Sequence, residues 1–232
     1  MKPILIEQRK LLMPLKLNKC QAGHTSHEIK AVETAIGSMV IWDHTRYMDF
    51  PGYCTGQDAT SGVLAVEPHW ELVLFPRVNK ILELGNKDDL VIDCGSHIGW
   101  YSKLARNHGY DVIAFEGDLE NVKMTELNAP GVDARQIWFD EDMGEPFESD
   151  RNIEFLKLDI EGAEQYAIKY LQKVLPRTKN IMMEVSPTFN DSYPALLDSL
   201  KDMFEITYSD GKPFDFKYDF TQTDLFLRRK ND

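Results

Sequence analysis

The chain has 232 residues, 43% hydrophobic and 28% charged, with 26 Lys and Arg against 38 Asp and Glu and a formal charge of −12. This length suits one substantial domain with an appendage, and the composition excludes a disordered or fibrous chain. Residues 1–85 balance 9 basic against 9 acidic side chains, so the deficit, 17 against 29, lies in 86–232; such a surface repels polyanions, which makes nucleic acid or an anionic membrane an unfavoured partner.

No apolar run approaches the roughly 20 residues of a membrane helix. Glu7, Gln8, Arg9 and Lys10 interrupt the start of the chain, so it lacks a signal-peptide core. Three cysteines, Cys20, Cys54 and Cys94, without a C-x-x-C pair, fit a reducing cytoplasm.

Residues 1–67 read as an irregular N-terminal appendage with glycines at uneven intervals and a strand-like Ser38–Trp42. From 68 to 232 a second region takes over. Glu67–Leu84 carries Leu72, Phe75, Val78 and Leu82 at helical spacing, with Pro76 expected as a kink. Strands are expected at Leu90–Asp93, Val112–Phe115, Asp133–Phe139, Phe155–Asp159 and Ile181–Val185. Between them the spacing predicts helices over Trp100–Asn107, Leu119–Leu127 and from Ala163 to Pro176. This alternation means an α/β fold, a parallel sheet with helices on both faces. A helix near Tyr193–Met203 then leads to two edge strands, Phe204–Tyr208 and Asp224–Arg228, with an antiparallel member expected. The alternating Phe214, Phe216, Tyr218 and Phe220 predict a strand with one aromatic face.

Three segments carry chemistry. In Val91–Ser102 a strand ends at Asp93 and a helix opens after Gly99, with Gly95, Ser96 and His97 in the turn between. The glycines are spaced G-x-x-x-G, whereas a dinucleotide fingerprint has G-x-G-x-x-G; with an acid at the turn, a cationic ligand such as S-adenosylmethionine fits better than a diphosphate. The next strand ends in Glu116, 23 residues beyond Asp93, a distance at which a carboxylate can accept both ribose hydroxyls of an adenosine. The third segment is Phe155–Glu164, where alternation puts Lys157 and Asp159 on one face and Glu161 follows at the strand end. These charges sit where open α/β sheets hold ligands.

The segments Val91–Ser102, Ala114–Asp118, Phe155–Glu164 and Ile181–Val185 resemble the FkbM-like family of class I methyltransferases, through a D-x-G-x-x-x-G turn, an F-E pair and a K-x-D-x-E-G-x-E strand end. The resemblance spans roughly residues 68–228. It implies a Rossmann-like sheet of seven strands with an antiparallel last strand, bound S-adenosylmethionine, and O-methylation of a hydroxyl on a small-molecule or carbohydrate-type acceptor. It also implies that Asp93, Gly95 and Gly99 shape the cofactor turn, that Glu116 holds the ribose, and that Asp159 and Glu161 face methyl group and acceptor. His97 stands where the family usually has Asn, and Gly117 where Pro is common. Trp138, Phe139 and Asp140 are the candidates for the adenine contact. Asp159 or Glu161 is the candidate general base, with Lys157 steering Asp159 or stabilising charge on the acceptor. Glu184 is expected as a wall residue of the site.

Two further groups belong to the first region. Cys20, His24 and His27, with His44 or Cys54, are scattered zinc-ligand types without paired spacing, and no metal site is expected from them. Trp42–Tyr47 mixes aromatic and polar groups that suit either a sugar-gripping segment or an ordinary polar loop.

Overall fold

The computed structural model describes residues 29–42, 59–187 and 191–230. The chain forms two compact units, Met1–Pro68 and His69–Asp232. In the first, β1 (Ile29–Thr34) and β2 (Gly37–Trp42) pair as an antiparallel hairpin, Thr34 opposite Gly37. Gly37 takes φ +95°, and its carbonyl accepts a 2.6 Å bond from Thr34 Oγ1, closing the turn. A short helix, α1 (Ala59–Leu64), follows; its Ser61 hydroxyl accepts from the Trp42 N–H at 3.1 Å. The zinc-ligand types and positions 43–47 lie outside the described residues.

The second unit carries the sheet. In chain order it contains α2 (Phe75–Leu84), β3 (Leu90–Cys94), α3 (Trp100–Asn107), β4 (Asp111–Glu116), α4 (Leu119–Asn128), β5 (Asp133–Gln136), β6 (Ile153–Leu158), α5 (Glu164–Tyr170), β7 (Thr178–Val185), α6 (Tyr193–Leu200), β8 (Phe204–Tyr208) and β9 (Thr223–Arg229). The strand order is β5-β4-β3-β6-β7-β9-β8; β9 runs antiparallel to both neighbours and the rest are parallel. The fold is therefore the expected Rossmann-like one, its antiparallel member β9 lying at one end of the sheet between β7 and the edge strand β8. From β3 the chain winds outward through β4 to β5, then returns to lay β6 on the other side of β3. That reversal opens a crevice beyond the carboxyl ends of β3 and β6, the usual ligand position of such sheets.

β3 and β6 are buried along their whole length, as central parallel strands are, so apolar runs such as Leu90-Val91-Ile92 dictate them. The charged residues in these strands stand out against that rule. Glu154, near the amino end of β6, bonds Lys179 at 2.9 Å, and Lys179 also reaches Asp89 at 2.8 Å. Asp93 and Lys157 lie at the other end, buried beneath the crevice. The far face of the sheet closes around Phe115, whose ring meets Phe139, Phe147 and Tyr170 edge-on at 5.9 Å each.

Three local expectations are corrected. Pro76 starts α2 and does not kink it: the missing N–H falls in the first turn, where it has no helical partner to lose. The third strand stops at Gln136, after which Ile137 N still bonds Glu116 O at 2.9 Å. No strand forms over 214–220, because Phe216 takes φ +57°; the rings instead gather around Phe214, with Phe216, Tyr218 and Phe220 at 5.0, 5.7 and 6.4 Å.

Candidate active site

The site begins with the turn from β3 to α3. Gly95 has φ +76° and lies against the end of β6: a Cβ placed there would sit 1.8 Å from the Asp159 carbonyl oxygen. The glycine is thus demanded by the approach of two strand ends. Gly99 has φ +84°, and a Cβ there would meet the Thr125 backbone at 2.9 Å. His97 also takes a positive φ, +51°, a conformation that Asn and His tolerate better than most residues. α4 holds this turn in place: Thr125 Oγ1 donates to His97 O at 2.8 Å and pairs with Ser96 Oγ at 3.0 Å, while Asn128 Nδ2 donates to Ile98 O at 2.7 Å. Sequence reasoning missed Thr125 and Asn128. Their i, i+3 spacing on a helix face could have flagged them.

Glu116, at the end of β4, spans the mouth of the turn. Its Oε2 accepts from His97 N at 2.7 Å and its Oε1 from Asp118 N at 3.0 Å. Asp118 in turn caps α4, accepting from Glu120 N and Asn121 N at 2.8 and 3.1 Å. Beside it Trp138 is 72% exposed and lies over Gly117, where a Cβ would come within 2.8 Å of the indole. A side chain at 117 would displace that ring. Asp140 is exposed and accepts from Asp142 N within its own loop at 3.0 Å. Phe139, an adenine candidate, is corrected: it is 8% exposed and packs on Phe115 in the core.

Asp93 is 1% exposed, so it shapes the turn from inside. Its Oδ2 accepts from Ser102 Oγ at 2.6 Å, and its Oδ1 lies 3.9 Å from Lys157 Nζ. Lys157 is 4% exposed; its ammonium donates to Gly95 O at 2.7 Å and pairs with Asp159 Oδ2 at 3.2 Å. Burial pulls the Lys157 ammonium down, but Asp159, Asp93 and Glu71 together outweigh it and hold it above its ordinary range. Burial pushes the Asp93 carboxyl up, against the pull of Lys157 and Ser102. One ammonium thus ties β3, the glycine turn and β6 together.

The remaining acids ring the crevice. The β6–α5 turn has Glu161 at φ +55° and Gly162 at φ +98°, and is held from below by Glu164, which accepts from Ile160 N at 3.1 Å, Gly162 N at 3.4 Å and Tyr193 Oη at 2.5 Å. Oxygens of Asp159, Glu161 and Glu184 lie within 4.8 Å of one another. Acidic groups of this kind are common without an ion, and the nearby Lys157 already supplies a positive charge. Glu184 on β7 faces Asp224 on β9 in register. Glu71, which accepts from Tyr101 Oη, completes the ring.

This crowding shifts the acids in one direction. Burial first, then Asp159, Glu161 and Asp224, push Glu184 up to about 7. Burial, then Glu71 and Asp159, push Asp224 up to about 7. Burial, then Asp159 and Glu164, also raise Glu161. A carboxyl raised on folding contributes stability that is complete below its unfolded value and is lost as pH rises through the folded one. Stability of the ligand-free protein should therefore fall between about pH 4.5 and pH 7 through Glu184, and Glu184→Gln should flatten that fall. Thermal unfolding across this range is the check; an unchanged profile in the variant would contradict the crowding.

No protein-family model and no curated protein matches the sequence. Solved structures do resemble it. A TehB-like SAM-dependent methyltransferase from Corynebacterium glutamicum is 14% identical over 66% of this chain and 87% of its own, with a TM-score of 0.48. An rRNA methylase from Streptococcus thermophilus is 14% identical over 66% and 94%, TM-score 0.42. TrmK from M. capricolum, in complex with S-adenosyl-homocysteine, is 14% identical over 66% and 68%, TM-score 0.42. The fold assignment rests on the strand order itself.

Proposed function

We propose that this chain is an S-adenosylmethionine-dependent methyltransferase of the FkbM-like kind, acting on a hydroxyl of a small-molecule or carbohydrate-type acceptor in the cytoplasm. The observation that carries this reading is Glu116: its carboxylate lies across the mouth of a G-x-x-x-G turn at the switch point of the sheet, bonded at 2.7 Å to His97 N. A carboxylate so placed fits an adenosine ribose, and the acid-lined crevice next to it fits a sulfonium. S-adenosylmethionine, when bound, supplies an electrophilic methyl group on a positively charged sulfur. Gly95, Ser96, His97 and Gly99 then present backbone to the donor, and Trp138 with Asp140 flanks the adenine side.

The protein's share of the work is positioning and proton removal. Methyl transfer is an in-line displacement, so holding acceptor oxygen and methyl in line while excluding water lowers the barrier most directly. Asp159, fixed by Lys157 at 3.2 Å, orients the acceptor. Glu161, above its usual range and at the rim, is the better placed of the two proposed bases to contact the acceptor hydroxyl.

Among the described residues no helix is long and apolar enough to cross a membrane. RNA-acting enzymes occur among the structural likenesses, including the 23S rRNA methyltransferase ErmE. A crevice ringed by Glu71, Glu161, Glu184 and Asp224 speaks against a polyanionic acceptor. Incubating the protein with methyl-labelled donor and a cell extract tests this: label should enter the small-molecule or glycan fraction. Label in RNA would replace the acceptor class, and no label in any fraction would favour an inactive cofactor-binding module.

Glu116→Ala should weaken S-adenosylhomocysteine binding by about 100-fold, roughly 2.7 kcal/mol, the worth of charge-assisted bonds to a ribose. Calorimetric titration measures it; wild-type affinity in the variant would take Glu116 out of the site.

A further inference from the structure

The acids of the crevice are not equivalent, and their partners separate them. Asp159 is committed to the Lys157 ammonium. Glu164 is 1% exposed and committed to two backbone N–H groups and Tyr193. Glu71 is committed to Tyr101. Glu184 and Asp224 differ. They sit directly opposite each other on neighbouring antiparallel strands, an arrangement of like charges that is ordinarily destabilising. The groups facing Glu184 are Asp159 and Glu161 from the end of β6 and the turn after it, Asp224 from β9, Tyr193 from α6, and the neutral Ser186 and Gln222. The groups facing Asp224 are Glu71, Asp159 and Lys157, and Tyr101 lies nearby on α3. The single cation in this set, Lys157, already contacts Gly95 O and Asp159.

Building on the methyltransferase reading, we propose that Glu184 and Asp224 act as one proton-accepting pair, which shares a proton in the empty site and surrenders it when the positively charged donor arrives. With the donor in place both carboxylates are ionised, and the pair is then free to take up the proton that the acceptor hydroxyl gives up through Glu161. The balance is complete: the acceptor oxygen forms a bond to the methyl carbon, the carbon–sulfur bond breaks with its electrons passing to sulfur, and the hydroxyl proton ends on the pair. When the positive charge on sulfur is consumed, the pair regains its affinity for that proton. Burial and the neighbouring acids push both groups up to about 7 in the empty site, within reach of neutral pH.

Calorimetry in buffers of different ionisation enthalpy reads proton release directly and needs no acceptor. Binding of S-adenosylmethionine to the wild-type protein near neutral pH should release on the order of half a proton or more, and S-adenosylhomocysteine, which lacks the sulfonium charge, clearly less. Glu184→Gln and Asp224→Asn, made separately so that one folded variant suffices, should each shrink that difference. Equal proton release by the two ligands, or an undiminished difference in a folded variant, overturns the pair. So does excess magnesium chloride releasing the same protons through the same two residues, since the cluster would then be a cation site. Failure of both ligands to bind removes the methyltransferase reading itself, and the pair with it; binding of both without a proton difference removes the pair alone.

Discussion

Gly95→Ala is expected to cost more than about 4 kcal/mol or to prevent the second unit from folding, the range of substitutions that force backbone apart. Two independent penalties act there. The residue needs φ +76°, which an alanine adopts only with strain, and the added Cβ would lie 1.8 Å from the Asp159 carbonyl oxygen. The overlap cannot be relieved by rotating a side chain, because its partner is backbone at the end of a central strand. Gly109→Ala is the control: φ is +89° there as well, but a Cβ meets nothing within 4 Å, so only the conformational penalty of roughly 1–2 kcal/mol remains. Urea denaturation of the two variants measures the difference. Equal losses would show that the contact between the glycine turn and β6 is not as close as described.

The second large effect is at Lys157. Lys157→Met keeps most of the side-chain volume but leaves Asp93, 1% exposed, without its cation and Gly95 O without its donor. Breaking a buried ion pair from one side typically costs about 3–5 kcal/mol, because the surviving charge is stranded. If that is the cause, adding Asp93→Asn should recover about half of the loss, since the stranded charge is removed while Ser102 keeps a polar partner. Denaturation midpoints of the two single variants and the double variant complete the cycle. Additive losses would mean that Lys157 and Asp93 do not act as a unit.

The parallel core was legible because burial on both faces leaves little choice of residue: Val91-Ile92, Val112–Phe115 and Ile181–Val185 could be little else. β8, Phe204–Tyr208, was predicted to the residue. β1 was not foreseen, because Ile29, Ala31 and Glu33 share one face while Lys30, Val32 and Thr34 share the other, so neither face is cleanly apolar. The 214–220 segment misled for the opposite reason: its alternation is perfect, but the rings satisfy themselves by clustering around Phe214. At the site, the sequence placed Asp93, Glu116, Lys157, Asp159 and Glu161 at strand ends. The pairing of Lys157 with Asp159 was legible from their shared strand face, but that Asp93 faces inward was not, since it follows from the packing of β3 against β6 and α3. The partnership of Glu184 with Asp224 needed the antiparallel register of β7 and β9, which joins residues 40 positions apart.

The proposed methyltransferase requires an adenosine-bearing sulfur ligand to sit between the glycine turn and Glu116. Titration of the full chain with S-adenosylhomocysteine should give saturable one-to-one binding that Glu116→Ala weakens and that the exposed control Glu126→Ala leaves untouched. Absence of binding heat in the wild-type protein at any buffer ionisation enthalpy, or binding that ignores Glu116, would contradict it.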